Sequence, residues 1–533
     1  MIKNPAKASP LWLFTIYFSL YILISPNIIG GKVHLIYPTK TEVLQYAKQY
    51  SHIPICKKIQ IDTVTPIQLF HALEKDEYSF LLESVEGDQK FSRYSFMGSH
   101  PYQTLTGKDS MLTVTSADKI KVFPADDPLP FLNKLLEEST SPQYDGYPPF
   151  LGGAVGYFSY ELIQAFETNS PLTNPAGKTK AYDTHLAFYD RLIVFDHQEQ
   201  VLYLVMHVVT HNGEVTDYEK VVDALDKWKD QLQQSQPKID PLPTLVREEV
   251  DFSNVTSNFT RETFCKAVEK AKDYIRAGDI FQVVPSQKYT VEGTPDPMMV
   301  YRILRYLNPS PYMYYLQLGE EKIVGTSPEI LVRVQNRIIE VRPIAGSRPR
   351  SQDAIRDEEL AKELLADPKE NAEHVMLVDL GRNDVGRVST YGSVQVTAYK
   401  HIERYSHVMH IVSQVTGELS PQKTPLDAFR ACFPAGTVSG SPKIRAMEII
   451  AELEPEARGI YAGAVGYFDF AGNIDTCIAI RTIYFRDNKA YVQAGAGVVY
   501  DSNPDKEYEE TQHKASAMLL AIQLAKAAKI YAS

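Results

Sequence analysis

Asp367-Pro-Lys-Glu-Asn-Ala-Glu-His-Val-Met-Leu-Val-Asp-Leu380 carries two glutamates three residues apart, and the chain repeats that spacing far downstream. Asp367 fits an N-cap, Pro368 the first helical position, and Glu370 completes a capping box. The apolar residues that follow keep helical spacing, so Glu370 and Glu373 share one face of the first turn. Asn503-Pro504 opens a second helix in which Glu507 and Glu510 repeat the pattern, with Lys514 one turn further on. One such pair is the ordinary complement of a helix macrodipole. Two pairs that face each other bring four carboxylates together, and their repulsion calls for a cation. Oxygen ligands with no cysteine nearby favour Mg²⁺.

Other residue types suited to chemistry lie around these helices. Phe433-Pro-Ala-Gly-Thr-Val-Ser-Gly-Ser-Pro-Lys443 is neither a Walker loop nor G-x-G-x-x-G, and reads either as a plain turn or as backbone N–H groups at a helix start, suited to a carboxylate. Asp475 to Phe485 alternates as a strand, which puts Arg481 on a face with Cys477, Ala479 and Ile483. An arginine buried there needs a structural carboxylate or a substrate carboxylate. Gln493-Ala-Gly-Ala-Gly-Val498 places glycines at a strand end, where backbone donors can meet a ligand. His401, His407 and His410 fall close together without the partners a zinc site needs, and His410 lies amid apolar residues as a candidate acid–base. Glu329 stands beside a strand start, where a lone glutamate is more often a surface charge than an acid.

These elements sit in a chain of 533 residues, 44% hydrophobic and 23% charged, ordinary for a globular protein. A net charge of −11 without a basic block argues against nucleic acid as partner. Cys56, Cys265, Cys432 and Cys477 are scattered, as reduced thiols of a cytoplasmic protein are. Residues 1–35 are set apart: 8–31 hold no charge and are apolar enough for a membrane segment. A start codon assigned too far upstream produces such a stretch, as does a signal anchor. Residues 36–230 mix strands and helices, 231–260 read as a proline-bearing linker, and 261–533 form a second half. Single strands are expected at 187–195, 323–334 and 475–485. Gly153-Ala-Val-Gly-Tyr-Phe158 recurs as Gly463-Ala-Val-Gly-Tyr-Phe468, pointing to related strands in the two halves. The order of elements is that of an α+β fold.

From about Ile36 to Leu524 the chain resembles anthranilate synthase component I, a chorismate-utilising family. The resemblance rests on Arg342-Pro-Ile-Ala-Gly-Ser347, on Asn371 to Asp384, on Pro434 to Lys443 and on Gln493 to Gly497. It implies two large antiparallel-rich sheets packed as a sandwich with flanking helices, built from both halves of the chain. It implies conversion of chorismate and ammonia to anthranilate, pyruvate and water, the first step of tryptophan biosynthesis. By motif, Glu373 and Glu510 ligate Mg²⁺, with Glu370 and Glu507 behind its waters. Arg481, Tyr461, Lys514 and the backbone of Gly495, Ala496 and Gly497 join the substrate site, and Gly346 and Ser347 line the ring. Glu329 is the implied general acid and His410 the group for the later proton removal. The usual motif has threonine at Ser347, and the hydroxyl is kept. Isochorismate-forming relatives have lysine at Gln282, and aminodeoxychorismate synthases have lysine at Ala345, so neither route is implied. Ser84, Pro311, Tyr312 and Met313 match the pocket through which tryptophan inhibits the family. No cysteine has the setting of a glutaminase nucleophile and the chain ends at Ser533, so a separate glutamine amidotransferase subunit is expected, in a heterotetramer by resemblance. A membrane-anchored sensor that binds without turnover is the alternative reading; intact Glu329, His410, Glu373 and Glu510 oppose it.

Overall fold

A computed structural model describes residues 36–532, apart from 62, 74–75, 85–92, 118, 169–171, 173–178, 211, 236, 238, 244–248 and 406–407. The expected apolar extension at 1–35, the turn expected at 86–88 and His407 lie outside the described residues. Two 12-stranded sheets dominate. The first joins strands from both halves where Tyr312–Leu318 pairs antiparallel with Tyr78–Glu83. The second does so where Ala464–Asp469 pairs antiparallel with Gly153–Phe158. The sheets face each other across a layer of apolar side chains. Phe80, Phe96 and Tyr314 come from the first sheet, and Tyr157, Tyr467 and Cys477 from the second. Helices cover the outer faces. Pro297–Leu307 and Pro504–Ala532 pack on the first sheet, while Pro368–Gly386 and Pro425–Cys432 pack on the second. The fold is α+β, a sandwich with flanking helices, as the resemblance implied. The two acidic helices therefore belong to opposite outer layers.

The repeated hexapeptides prove to be partners. Their two strands lie side by side with Gly466 opposite Gly156. Each glycine meets the backbone of its other neighbour. A Cβ on Gly156 would stand 2.0 Å from the His185 carbonyl oxygen, and one on Gly466 would stand 2.1 Å from that of Asp475. The close approach expected of these glycines is what requires them.

Three stretches that read as single strands are each two. Residues 187–195 divide into Thr184–Tyr189 and Arg191–Asp196, 323–334 into Glu321–Ser327 and Ile330–Gln335, and 475–485 into Ile474–Ile478 and Thr482–Arg486. In every case the chain leaves one sheet and enters the other at the break. Both segments face apolar surroundings, so alternation continues through the break and hides it. Glu329 and Arg481 sit at two of these crossings, which run side by side. The Ile478 N–H donates to the Glu329 carbonyl at 3.0 Å, and the Thr326 N–H donates to the Arg481 carbonyl at 3.1 Å. Arg481 adopts φ 52°, a left-handed conformation uncommon for a side chain of this size.

The helix Tyr218–Gln234 forms as its sequence suggests, and within the range read as a linker Thr256–Ser257 pairs with Ser286–Glu292 at the edge of the first sheet. Among the described residues no helix is long and apolar enough to cross a membrane.

Close packing at Gly466 can be tested directly. Gly466→Ala should lower stability by about 1–3 kcal/mol through overpacking. Gly386→Ala, at a helix position with nothing within 4 Å of the new Cβ, should be neutral or stabilising. Melting temperatures of the two variants against the parent decide it, and equal values would contradict the packing account.

Candidate active site

Both acidic helices begin as expected. The Asp367 carboxylate accepts from the Lys369 and Glu370 N–H groups, and the Asn503 side chain accepts from those of Asp505 and Lys506. The expected capping box does not form. The Asp367 N–H donates to the Leu364 carbonyl, and the Glu370 carboxylate turns away, 3.5 Å from the Arg348 guanidinium. Glu370, Glu373, Glu507 and Glu510 all line one cavity of about 640 Å³ between the two layers. They share its wall with Glu329, His410, Gly346, Ser347, Tyr461, Arg481, Gly495, Gly497 and Lys514.

Ala496 is the exception among the expected site residues. It is fully buried behind the wall and its N–H donates to the Pro285 carbonyl at 3.1 Å. The strand pairing on that side uses this donor, so it is not offered to a ligand. The Gly497 N–H has no hydrogen-bond partner among the described residues. Gly495 has to be glycine, since a Cβ there would come 2.7 Å from the Tyr461 hydroxyl.

Arg481 was expected on an apolar strand face beside Cys477. It stands instead at the crossing, half-buried on the cavity wall, and among the described residues its guanidinium makes no ion pair. Burial lowers its pKa, partly offset by Tyr461 and Glu510. An arginine guanidinium stays charged at any physiological pH.

Glu329, expected on residue type alone to be a surface charge, is drawn into the cavity by the neighbouring crossing. Burial raises its pKa to about 8, against the opposing pull of Lys514. The carboxyl is therefore protonated at neutral pH. His410 lies on the strand Val408–Glu418, and its Nδ1–H donates to the Gly346 carbonyl at 2.7 Å. That bond leaves Nε2 with the lone pair, and burial lowers the pKa so that the ring is neutral.

Each glutamate pair is internally strained by charge. Burial raises the pKa of Glu370 and of Glu507, and the neighbouring Glu373 and Glu510 add to the effect. Glu373 accepts a hydrogen bond from the Gln282 amide at 3.2 Å, and Glu510 takes the Lys514 ammonium at 2.7 Å. Among the described residues no three His, Cys, Asp or Glu side chains converge closely enough to hold a metal ion. The donor set nonetheless fits Mg²⁺ in kind: carboxylate oxygens, with no cysteine on the wall.

Gln282, Thr437, Arg348 and the glycine-rich loop need a separate account. Gln282 and Thr437 both line the cavity. The helix after the loop starts at Lys443, away from the wall, so the loop is not a cradle of helix-start N–H groups. Its glycines serve close packing: a Cβ on Gly436 would stand 1.8 Å from Leu380 of the first acidic helix, and one on Gly440 2.2 Å from the Gln282 carbonyl. Gly440 was thus the available signal for the placement of Gln282. Arg348, whose guanidinium also reaches Asp367 at 2.8 Å, carried no signal in the sequence.

A second, smaller cavity of about 100 Å³ lies between the sheets. Ser84, Pro311, Tyr312 and Met313 line it together, with Glu83, Arg333, Arg342 and Asp475 as its charged residues.

Residues 77–520 match the family described as chorismate binding enzyme. The chain belongs to that family. It is 46% identical over 490 residues to anthranilate synthase component 1 of Acetivibrio thermocellus, covering 92% of this chain and 99% of the relative. The protein of the same name from Aquifex aeolicus is 44% identical over 485 residues, covering 91% and 97%. Among solved structures, anthranilate synthase component I from Streptococcus pneumoniae superposes with a TM-score of 0.70 at 39% identity, covering 81% of this chain and 93% of that one. The menaquinone-specific isochorismate synthase of Escherichia coli shares the fold, with a TM-score of 0.63 at 18% identity, covering 91% of this chain and 98% of that one. The Gln282 amide is tied to Glu373, and Ala345 is buried.

The protonation of Glu329 can be read without substrate. A carboxyl C=O band lost in Glu329→Gln should be present at pH 7 and disappear as pH rises through about 8. Infrared difference spectra across pH 4–10 would show it, and a midpoint near that of a free glutamate would contradict the burial account.

Proposed function

We propose that this protein is the chorismate-binding subunit of an anthranilate synthase, converting chorismate and ammonia to anthranilate, pyruvate and water. The observation that carries the reading is one cavity holding a carboxyl kept protonated at neutral pH and an arginine with no ion-pair partner among the described residues. The relatives named anthranilate synthase component 1, matched over nearly their whole length, point the same way.

The residues divide the work. Arg481, Tyr461 and the Gly497 N–H hold the enolpyruvyl carboxylate. Gly346 and Ser347 lie along the ring. Glu329 gives its proton to the ring hydroxyl, which leaves as water while ammonia adds at the ring carbon next to the one bearing the carboxylate and the two ring double bonds shift between them. His410, with Nδ1 anchored on Gly346, uses Nε2 to take the ring proton as pyruvate departs and the ring becomes aromatic. Glu373 and Glu510 would hold Mg²⁺, with Glu370 and Glu507 receiving its water ligands. Bound there, the ion supplies positive charge for the ring carboxylate. Tryptophan, as inhibitor, would occupy the cavity lined by Ser84, Pro311, Tyr312 and Met313.

The nitrogen source follows from the thiols. Cys56, Cys432 and Cys477 are buried, and burial raises their pKa. Cys265 lies on the helix Arg261–Ala277, its pKa also raised, first by burial. None is an activated nucleophile for glutamine hydrolysis. A separate amidotransferase subunit would supply ammonia in a heterotetramer.

The purified protein with chorismate, Mg²⁺ and an ammonium salt should produce anthranilate fluorescence, and glutamine alone should not replace ammonium. No product with ammonium would overturn the function, and ready use of glutamine without a partner would overturn the two-subunit reading. Glu373→Gln or Glu510→Gln should reduce Mg²⁺-dependent turnover by roughly a hundredfold or more with the melting temperature retained. Wild-type rates in both would remove the metal assignment.

A further inference from the structure

The two cavities are neighbours. Pro328 and Ile344 line both, so one side of a thin wall faces the proposed tryptophan site and the other the proposed catalytic site. Behind this wall a set of polar contacts runs from one cavity to the other. Arg342 lines the smaller cavity and forms an ion pair with Glu403. Glu403 also accepts from His401 Nε2 at 3.0 Å and from the Tyr405 hydroxyl at 2.8 Å.

Glu403 lines neither cavity, yet it stands next to the proposed base. In the ladder between Gln395–Arg404 and Val408–Glu418, Glu403 is directly opposite His410. Directly opposed residues send their side chains to the same face of a sheet. The Tyr405 ring meets the His410 ring at a steep angle, with centroids 5.8 Å apart. His410 is thus fixed on one side by the Gly346 carbonyl and on the other by a tyrosine that Glu403 holds in place.

We propose that Glu403 is the positioning residue for His410, and that the Arg342–Glu403 pair passes occupancy of the smaller cavity to it. This rests on the reading of His410 as base and of the smaller cavity as an amino-acid site. The electrostatics agree with the geometry. The charged groups facing His410 are Glu403 from the adjacent strand and Arg481 from the crossing, and they act in opposite senses on its protonation. Glu403 is itself kept ionised, because Arg342, His401 and Tyr405 together outweigh its burial. Its charge favours the imidazolium that forms when His410 takes the ring proton. An amino-acid ligand whose carboxylate draws on Arg342 weakens the grip on Glu403 and so disturbs Tyr405 and His410 together. Inhibition by this route is a change in the base, without any ligand entering the catalytic cavity.

Glu403→Gln tests it, with Tyr405→Phe as a second variant should the first fail to fold. In Glu403→Gln, kcat should fall by roughly tenfold while KM for chorismate stays within about twofold. The acidic limb of the kcat–pH profile should move to lower pH, because His410 loses a negative neighbour. Tryptophan should still bind by calorimetry but inhibit less. Tyr405→Phe should shift kcat and inhibition in the same direction by a smaller factor. Wild-type kcat, pH profile and inhibition in both variants would overturn the proposal while leaving the function untouched, provided His410→Gln is inactive. If His410→Gln turns over normally, the base assignment falls and this proposal with it. A parent protein indifferent to tryptophan would overturn the link to the smaller cavity.

Discussion

Two strands that cross from one sheet to the other must keep their backbone groups bonded where neither sheet is available to bond them. A buried N–H or C=O left unpaired costs about as much as a lost hydrogen bond, so a lone crossing strand in the core is unfavourable. Here two cross together and serve each other, through Ile478 to Glu329 and Thr326 to Arg481. The arrangement fixes the two residues relative to one another by backbone bonds alone. It also frees their side chains from strand geometry, since residues in a crossing need not point along either sheet's pleat. Arg481 pays for its place with a left-handed φ, a strain of order 1 kcal/mol that the surrounding bonds hold in check.

Burial acts on these two side chains in opposite chemical senses. It raises the pKa of Glu329, making a neutral carboxyl, and lowers that of Arg481, which remains a cation all the same. The cavity therefore holds both a proton donor and a fixed positive charge. The same cavity is lined by four glutamates from two helices that belong to different layers. Glu370 and Glu507 lie in the first turns of their helices, where a carboxylate meets the positive end of the helix.

Much of this was legible in the sequence, and the failures have one physical origin. The caps at Asp367 and Asn503 and the paired hexapeptides follow from local chemistry that the fold does not override. Arg481, Glu329 and the divided strands could not be placed, because alternation reports which face is apolar and is blind to a change of sheet between two apolar environments. Glu370 shows the same limit at a helix end. The capping box and the cavity compete for one side chain, and only the tertiary structure shows that the cavity takes it. Family resemblance reached these residues by motif where periodicity could not, and Ala496 shows where motif overreaches. A backbone donor in a matching segment was already used by the strand beside it.

The contacts of Glu510 bear on how the proposed site would fill. Its carboxylate is held by Lys514, whose ammonium also donates to the Gly495 carbonyl at 3.0 Å. For Glu510 to take up a cation it has to share or release Lys514. The released ammonium stays tethered at Gly495, beside the backbone proposed to receive a substrate carboxylate. Two like charges 4 Å apart repel by about 4 kcal/mol at an effective dielectric of 20, so an anion approaching a group of carboxylates is opposed unless positive charge arrives with it. Uptake of a cation by Glu510 would thus do two things at once, removing that repulsion and turning Lys514 toward the anion. A site filled in this way would favour cation and anionic substrate together over either alone, through one lysine shared between a carboxylate and a strand end.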